Sequence, residues 1–109
     1  MAGAKLVVLY PYPADAAEFE RAYTEEHMPL VNADTMPGIT KFVGTKMLSA
    51  ADGGEPQFYR MAELYFDSID ALQAAASSEG AQKAVAHAAA ISTGGAPLIL
   101  VAQDETVEF

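Results

Sequence analysis

Apolar residues in this chain cluster into short blocks bounded by proline and glycine, a pattern typical of β-strands. Four such blocks predict strands over residues 5–10, 39–48, 58–66 and 97–102. A glycine-rich turn at 52–56 separates the second block from the third, which indicates an antiparallel hairpin. Residues 103–109 are acidic and alternate apolar with polar positions, as an additional edge strand or an arm would.

In the two long segments between these blocks, apolar residues recur with helical spacing, which predicts helices there. A capping-box pattern that begins at Asp15 starts the first helix, which should end or kink near His27 because Pro29 lacks an amide hydrogen. An alanine-rich helix follows in two pieces, over 69–76 and 79–91. The order β-α-β-β-α-β, with the second helix split, predicts a ferredoxin-like α+β fold: a four-stranded antiparallel sheet with helices on one face.

The predicted strands are apolar on both of their faces. In the first strand, Leu6, Val8 and Tyr10 alternate with Val7 and Leu9. Helices on one side of the sheet cover only one face, and an uncovered apolar face is a surface that needs a partner. We therefore predict a homodimer in which two sheets pack face to face. The alternative is a sparsely apolar face that lies open to water.

Charge and cysteine content argue against several classes of binding partner and of chemical site. The formal charge of -9, from 15 acidic and 6 basic residues, opposes binding to nucleic acid or to a membrane surface. The absence of cysteine excludes disulfides, thiolate nucleophiles and cysteine-bound metals. No block is long enough to span a bilayer and no secretory signal follows Met1. We expect a single domain over residues 1–109 in the cytoplasm.

His27 is the principal candidate for chemistry. At about 100° per residue, Tyr23 and His27 share the apolar stripe of the first helix, where leucine would serve packing better. The carboxyl end of a helix favours a protonated ring, whereas burial opposes it. Two interpretations follow: His27 is a general acid or base in a pocket between helix and sheet, or it closes the helix by bonding a carbonyl or carboxylate. Tyr23 is expected to pack or hydrogen-bond beside it, and Glu63 or Tyr10 to set its tautomer.

Other polar and aromatic residues of the strands are candidates for the walls of that pocket. Glu63 interrupts an apolar strand, so it is expected to pair with Lys41, Lys46 or Arg60, or with a group across the dimer. His87 is expected to be a surface or packing residue, and two distant histidines supply no metal site. No cofactor is expected. The candidate ligand-binding residues are Tyr10, Phe42, Met61, Glu63 and Tyr65.

Several ordered motifs resemble the EthD family. They are Tyr23-x-x-x-His27-x-Pro29-Leu30, then Pro37-Gly38, the segment 62–68 with Ala71-Leu72 after it, and Thr93-Gly94-Gly95 before the last strand. The resemblance covers nearly the whole chain. It implies a dimeric α/β-barrel, in which two ferredoxin-like subunits join their sheets, and it supports Tyr23 and His27 as site residues.

The resemblance implies a class of function but no single reaction. The EthD family takes its name from a component of a bacterial gene cluster that degrades ethyl tert-butyl ether alongside a cytochrome P450 system. Related dimeric barrels include cofactor-independent monooxygenases, haem-degrading enzymes, lactone isomerases and polyketide cyclases. Two functions fit: an acid–base enzyme that acts on a small apolar or aromatic molecule, and a non-catalytic accessory protein that delivers a hydrophobic metabolite to an oxygenase.

Overall fold

The computed structural model describes residues 3–109, and its helices and strands follow the predicted order. The strands are β1 (Ala4–Pro11), β2 (Ile39–Lys46), β3 (Phe58–Phe66) and β4 (Leu98–Gln103), and the helices are α1 (Ala16–Ala22), α2 (Ile69–Ala76) and α3 (Glu79–Ile91). Asp15, Ser68 and Ser78 cap the three helices by accepting hydrogen bonds from backbone amides three residues later. The tail, 104–109, forms no strand, so the expected extra edge strand is absent.

The four strands form one antiparallel sheet in the order β2-β3-β1-β4. β1 lies in the middle, with Leu6 opposite Leu64 of β3 and opposite Val101 of β4. Helix residues pack with one face of this sheet in a single hydrophobic core. The ferredoxin-like prediction is therefore confirmed, including the split of the second helix at Ser77 and Ser78.

A bulge places two β3 side chains on the covered face. Tyr10 lies opposite Arg60 and Pro11 opposite Phe58, so Tyr59 is an extra residue in the ladder. Both Tyr59 and Arg60 reach Glu20 of α1, at 2.7 Å from the Tyr59 hydroxyl and 2.8 Å from the Arg60 Nη2. This cluster fixes α1 on the sheet.

Within residues 3–109, the opposite face of the sheet carries no helix. On it Val7 lies beside Glu63, and Leu98 and Leu100 of β4 are 47% and 48% exposed. Glu63 is paired as expected, but its partner is Lys5, at 2.5 Å from Nζ to Oε2, and not Lys41, Lys46 or Arg60. β1 and β2 both lie next to β3, and Lys5 and Lys41 both lie beside Tyr65, two residues from Glu63. Only Lys5 is paired with the carboxylate, because the Lys41 Nζ lies over the Tyr65 ring, 4.3 Å from its centroid.

Gly94 allows the chain to return from α3 to the sheet. A side-chain carbon at this position would lie 1.5 Å from the carbonyl oxygen of Tyr12, so any other residue would force the two backbones apart. The close approach places the end of α3 beside the end of β1. It thereby sets the position of α3 over the sheet, and with it the position of His87.

Candidate functional site

His27 lies where the first helix changes its hydrogen-bonding pattern. α1 passes into a π-helical turn, Tyr23–His27, and then into a 3-10 turn, Met28–Leu30. The amide of Met28 bonds to the carbonyl of Tyr23, five residues back, and Pro29 has no amide to continue the helix. The prediction of a helix end near His27 is confirmed, and the wider turn carries the ring into the space between the helices and the sheet.

A narrow apolar cavity separates α3 from the covered face of the sheet. Leu6, Val8 and Phe42 line it from the sheet, and Ala84 and Ala88 line it from α3. Its free volume is about 30 Å³, roughly the share of one water molecule in the liquid. An organic molecule therefore enters only if side chains at the wall move.

The mouth of this cavity lies between α3 and the edge strand. Val85 and Ile99 stand on its two sides and are 41% and 38% exposed. In the described part of the chain, β4 is an edge strand that pairs with β1 alone. Separation of these two side chains is the smallest movement that widens the cavity.

Among the described residues that line this cavity, two have polar side chains, His27 and Tyr10. His27 is 7% exposed and Tyr10 is 1% exposed. Burial raises the pKa of Tyr10, so its hydroxyl stays protonated and acts as a hydrogen-bond donor or acceptor. Of the two, His27 is the side chain that can accept a proton, on a ring nitrogen.

His27 forms a pair with His87 of α3. Their Nδ1 atoms are 3.1 Å apart, the ring planes differ by 11° and the ring centroids are 5.3 Å apart. The Nδ1 atoms therefore lie close to the line that joins the centroids, so the rings meet edge to edge in a hydrogen bond. Such a bond holds one proton, which means that one ring donates from Nδ1 and the other accepts at Nδ1.

Glu26 favours one of the two possible arrangements. Its Oε1 lies 3.6 Å from Nε2 of His87, while its other oxygen lies 2.7 Å from Nη2 of Arg21. The carboxylate attracts a proton on His87 Nε2, so neutral His87 accepts at Nδ1 and His27 donates from Nδ1. His27 then presents an unprotonated Nε2, the nitrogen that acts as a base.

Burial also keeps the His27 ring neutral. Removal of the ring from water, with a smaller contribution from the neighbouring His87, lowers the pKa of His27 to about 4. Burial therefore outweighs the helix end, which would favour the charged ring. At neutral pH His27 is a proton acceptor.

The other predicted site residues divide between the two faces of the sheet. Tyr23 packs beside His27 with ring centroids 5.7 Å apart, but its hydroxyl is buried without a partner and does not line the cavity. Phe42 lines the cavity with Tyr10. The remaining three lie on the open face, away from the cavity, and are Met61, Glu63 and Tyr65.

The partner of His27 is therefore neither Glu63 nor Tyr10, as the sequence suggested, but His87. The spacing of residues along the helix could have shown that His87 faces the core, because His87 follows Ala84 by three residues and precedes Ile91 by four, and both are buried.

Within residues 3–109, histidines and carboxylates form no group of three that could hold a metal ion. Every helix in the same range is too short or too polar to cross a membrane.

The family of the chain follows from its comparison with known proteins. A model of the EthD domain matches residues 11–90. The chain belongs to the EthD family. It is 38% identical over 104 residues to an uncharacterized 11.0 kDa protein of the thcB-thcC intergenic region of Rhodococcus erythropolis, covering 94% of this chain and 96% of that one.

Solved structures agree with this assignment. An EthD family protein from Bacillus halodurans has a TM-score of 0.84 at 25% identity, covering 94% of this chain and 99% of that one. A dimeric ferredoxin-like protein of unknown function from Jannaschia has a TM-score of 0.67 at 24% identity, covering 97% and 100%. The fold also occurs in a hydroxynitrile lyase from Passiflora edulis, at TM-score 0.71 and 11% identity, and in a cofactor-independent oxygenase from Streptomyces nogalater, at 0.59 and 14%. The latter two similarities concern the fold alone.

Proposed function

We propose that this EthD protein binds a small, largely apolar organic molecule in the cavity between α3 and the sheet, and that His27 removes or returns a proton on it. The observation that carries the proposal is a buried imidazole at the wall of an apolar cavity, with one nitrogen committed to His87 and the other free. Because its ring is neutral at pH 7, His27 has a nitrogen available to accept a proton, which is a requirement of general base catalysis.

The cavity limits the ligand in size and polarity. Its wall is apolar apart from Tyr10 and His27, so a ligand has at most two polar groups to satisfy there. A carbonyl compound fits these two groups, because the Tyr10 hydroxyl donates to the oxygen while His27 Nε2 accepts a proton from the adjacent carbon. Isomerisation, cyclisation, decarboxylation and cofactor-free oxidation of such compounds all involve proton transfer.

We also propose that the functional unit is a homodimer that joins the open faces of two sheets. The open face carries the exposed side chains of Leu98 and Leu100, and related proteins of this fold are dimeric. Pairing of these faces removes apolar surface from water and leaves the cavity on the outer side of each sheet.

The test uses cyclohexanone, a small ketone, as a probe. Its binding is measured by shifts of the backbone amide signals of α3 and β4, and its α-proton exchange in D₂O is measured by proton NMR. Binding that shifts residues around Val85 and Ile99, with exchange that His27→Gln abolishes, supports the proposal. Val85→Trp is expected to block binding, whereas Ala86→Trp, its exposed neighbour on α3, serves as the matched control.

Two outcomes would count against this function. Binding with no exchange above the background rate, unchanged in His27→Gln, would favour the accessory protein that holds a hydrophobic metabolite for a partner. Failure of cyclohexanone and benzene to shift any residue at the cavity would contradict ligand binding at this site.

A further inference from the structure

We propose that His87 and Glu26 connect His27 to solvent as a proton relay, so that His87 is a positioning residue for the base. The inference rests on the proposed function of His27. Two spaces lie on either side of the histidine pair. His27 lines the narrow inner cavity, and His87 lines an outer cleft of about 410 Å³.

The pair is the link between these two spaces. The Nδ1 atoms meet at 3.1 Å, while His87 Nε2 points toward Glu26 at 3.6 Å. Glu26 lines the outer cleft with Glu18 and Arg21. Nitrogen and oxygen atoms therefore lie in order from the cavity to the cleft, with a hydrogen bond between the two rings and a 3.6 Å separation, just beyond hydrogen-bond length, between His87 and Glu26.

Protons can move along this series without leaving a net charge on either ring. His27 Nε2 takes a proton from the ligand, and the proton on His27 Nδ1 passes to His87 Nδ1. His87 then releases the proton on its Nε2 to Glu26 or to water in the cleft. Both rings end neutral with their tautomers exchanged, and the reverse sequence returns a proton to the ligand.

Charges around the histidine pair favour proton transfer from His27 to His87. Tyr23 packs beside His27 with ring centroids 5.7 Å apart, and within the described part of the chain no carboxylate forms an ion pair with His27. His87 has Glu26 as a neighbour, although Arg21 shares that carboxylate. A positive charge that would be costly on His27 therefore lies on the half-buried ring beside a carboxylate.

The first test measures tautomers of the ligand-free protein by two-bond ¹H–¹⁵N NMR of the imidazole rings. We expect His27 to carry its proton on Nδ1 and His87 on Nε2, with a coupling between the two Nδ1 nuclei. In His87→Phe, which keeps a planar ring, His27 is expected to shift to the Nε2–H tautomer. The absence of coupling in the native protein, or an unchanged His27 tautomer in the variant, would overturn the relay.

Glu26→Gln provides a second variant at an exposed position, in case His87→Phe does not fold. It is expected to raise the share of the opposite tautomer of His87. Glu25→Gln is the matched control, because Glu25 also pairs with Arg21, at 3.1 Å, but Glu25 makes no contact with His87. Equal tautomer changes in the two variants would show a general charge effect and would contradict the relay.

The second test separates the relay from the function of His27. With cyclohexanone, His87→Phe is expected to slow α-proton exchange by roughly tenfold or more at unchanged binding affinity. If His27→Gln leaves exchange unchanged, the proposed function fails while the tautomer measurement still decides whether the pair is coupled. If His27→Gln abolishes exchange and His87→Phe does not slow it, the relay fails and the function stands.

Discussion

The two faces of the sheet are built from the same strands, but they differ in whether their polar side chains have all of their bonding partners. On the covered face, His27 is neutral, hydrogen-bonded at one nitrogen and free at the other. On the open face, Lys5 is charged and held between Glu63 and Asp104, at 2.5 Å and 2.8 Å. One face keeps an unused proton acceptor in an apolar space, and the other pairs its partly buried Lys5 with carboxylates.

This difference indicates where chemistry and where assembly take place. A ligand gains from a polar group that still has bonding capacity, as His27 Nε2 does. An interface gains from apolar surface in which any charge already has its partner, because an unpaired charge would be costly to bury. The covered face therefore suits a small molecule, and the open face suits a second copy of the chain.

The largest expected effect is on the open face. Leu100→Glu places a charge on the open face, within the proposed interface, where it would have no partner. The Kd of the dimer is expected to rise roughly 100-fold or more, since burial of an unpaired charge costs several kcal/mol and about 1.4 kcal/mol is a factor of ten. Sedimentation velocity over a concentration series measures the change.

Val101→Glu is the matched control for this prediction. Val101 is the next residue of β4, is 60% exposed and lies on the other face of the sheet. A native protein that is monomeric at high concentration, or equal dissociation by both variants, would contradict the assignment of the dimer to the open face.

The second prediction tests the ion pair on the open face. Lys5→Met leaves the Glu63 side chain, 14% exposed, without its cation, and is expected to lower the free energy of unfolding by about 3 kcal/mol. Lys5→Met with Glu63→Leu removes both charges and is expected to recover most of that loss. Urea denaturation measures both. A double variant no more stable than the single one would show that the pair is not the source of the loss.

The third prediction concerns His27 on the covered face. Its pKa is about 4 in the folded chain and about 6.5 when unfolded, so the unfolded chain binds more protons between these values. The free energy of unfolding is expected to fall as pH decreases from 6.5 to 4, by up to about 3 kcal/mol from this group. Urea denaturation at several pH values measures the slope.

His27→Phe should remove this part of the pH dependence, because phenylalanine binds no proton. The carboxylates remain, so the variant keeps whatever dependence they supply. Identical slopes in the native protein and in His27→Phe between pH 6.5 and 4 would mean that His27 is protonated without cost in the folded chain.

The smallest effect on stability is expected at the mouth of the cavity. Val85→Trp and Ala86→Trp both replace an exposed residue of α3, so each should change the free energy of unfolding by less than about 0.5 kcal/mol. Thermal denaturation measures this change. A large loss in Val85→Trp alone would show that Val85 contributes to the core and would weaken its use as a test of the mouth.

Much of the fold was predictable because its signals are local. The alternation of Leu6, Val8 and Tyr10 with Val7 and Leu9 identified a strand with two apolar faces, and Pro29 identified the end of the first helix. The family motif drew attention to Tyr23 and His27. The elements and their order agree with these expectations, and the sheet order follows the ferredoxin-like pattern.

The site was less predictable because its contacts join distant segments. Glu63 was expected at the pocket, whereas the register places it on the open face with Val7 and Val43. Its partner depended on which of the two strands beside β3 brings an amine to the carboxylate. The sequence favoured the hairpin neighbour, β2, whereas the side-chain partner comes from β1. His87 looked like one polar residue in an alanine-rich helix, since nothing local shows which element faces it.

The sequence by itself determined the strands, the helices, the Asp15 cap of the first helix and the two-sided apolar character of the sheet, because each depends on residues within one or two turns of one another. Only the tertiary structure decided that His27 meets His87 across 60 positions and that Lys5 meets Glu63 across 58. Such pairs form when the central strand and the returning helix α3 are fixed by the whole core. Their chemistry is therefore a consequence of packing, which no local pattern encodes.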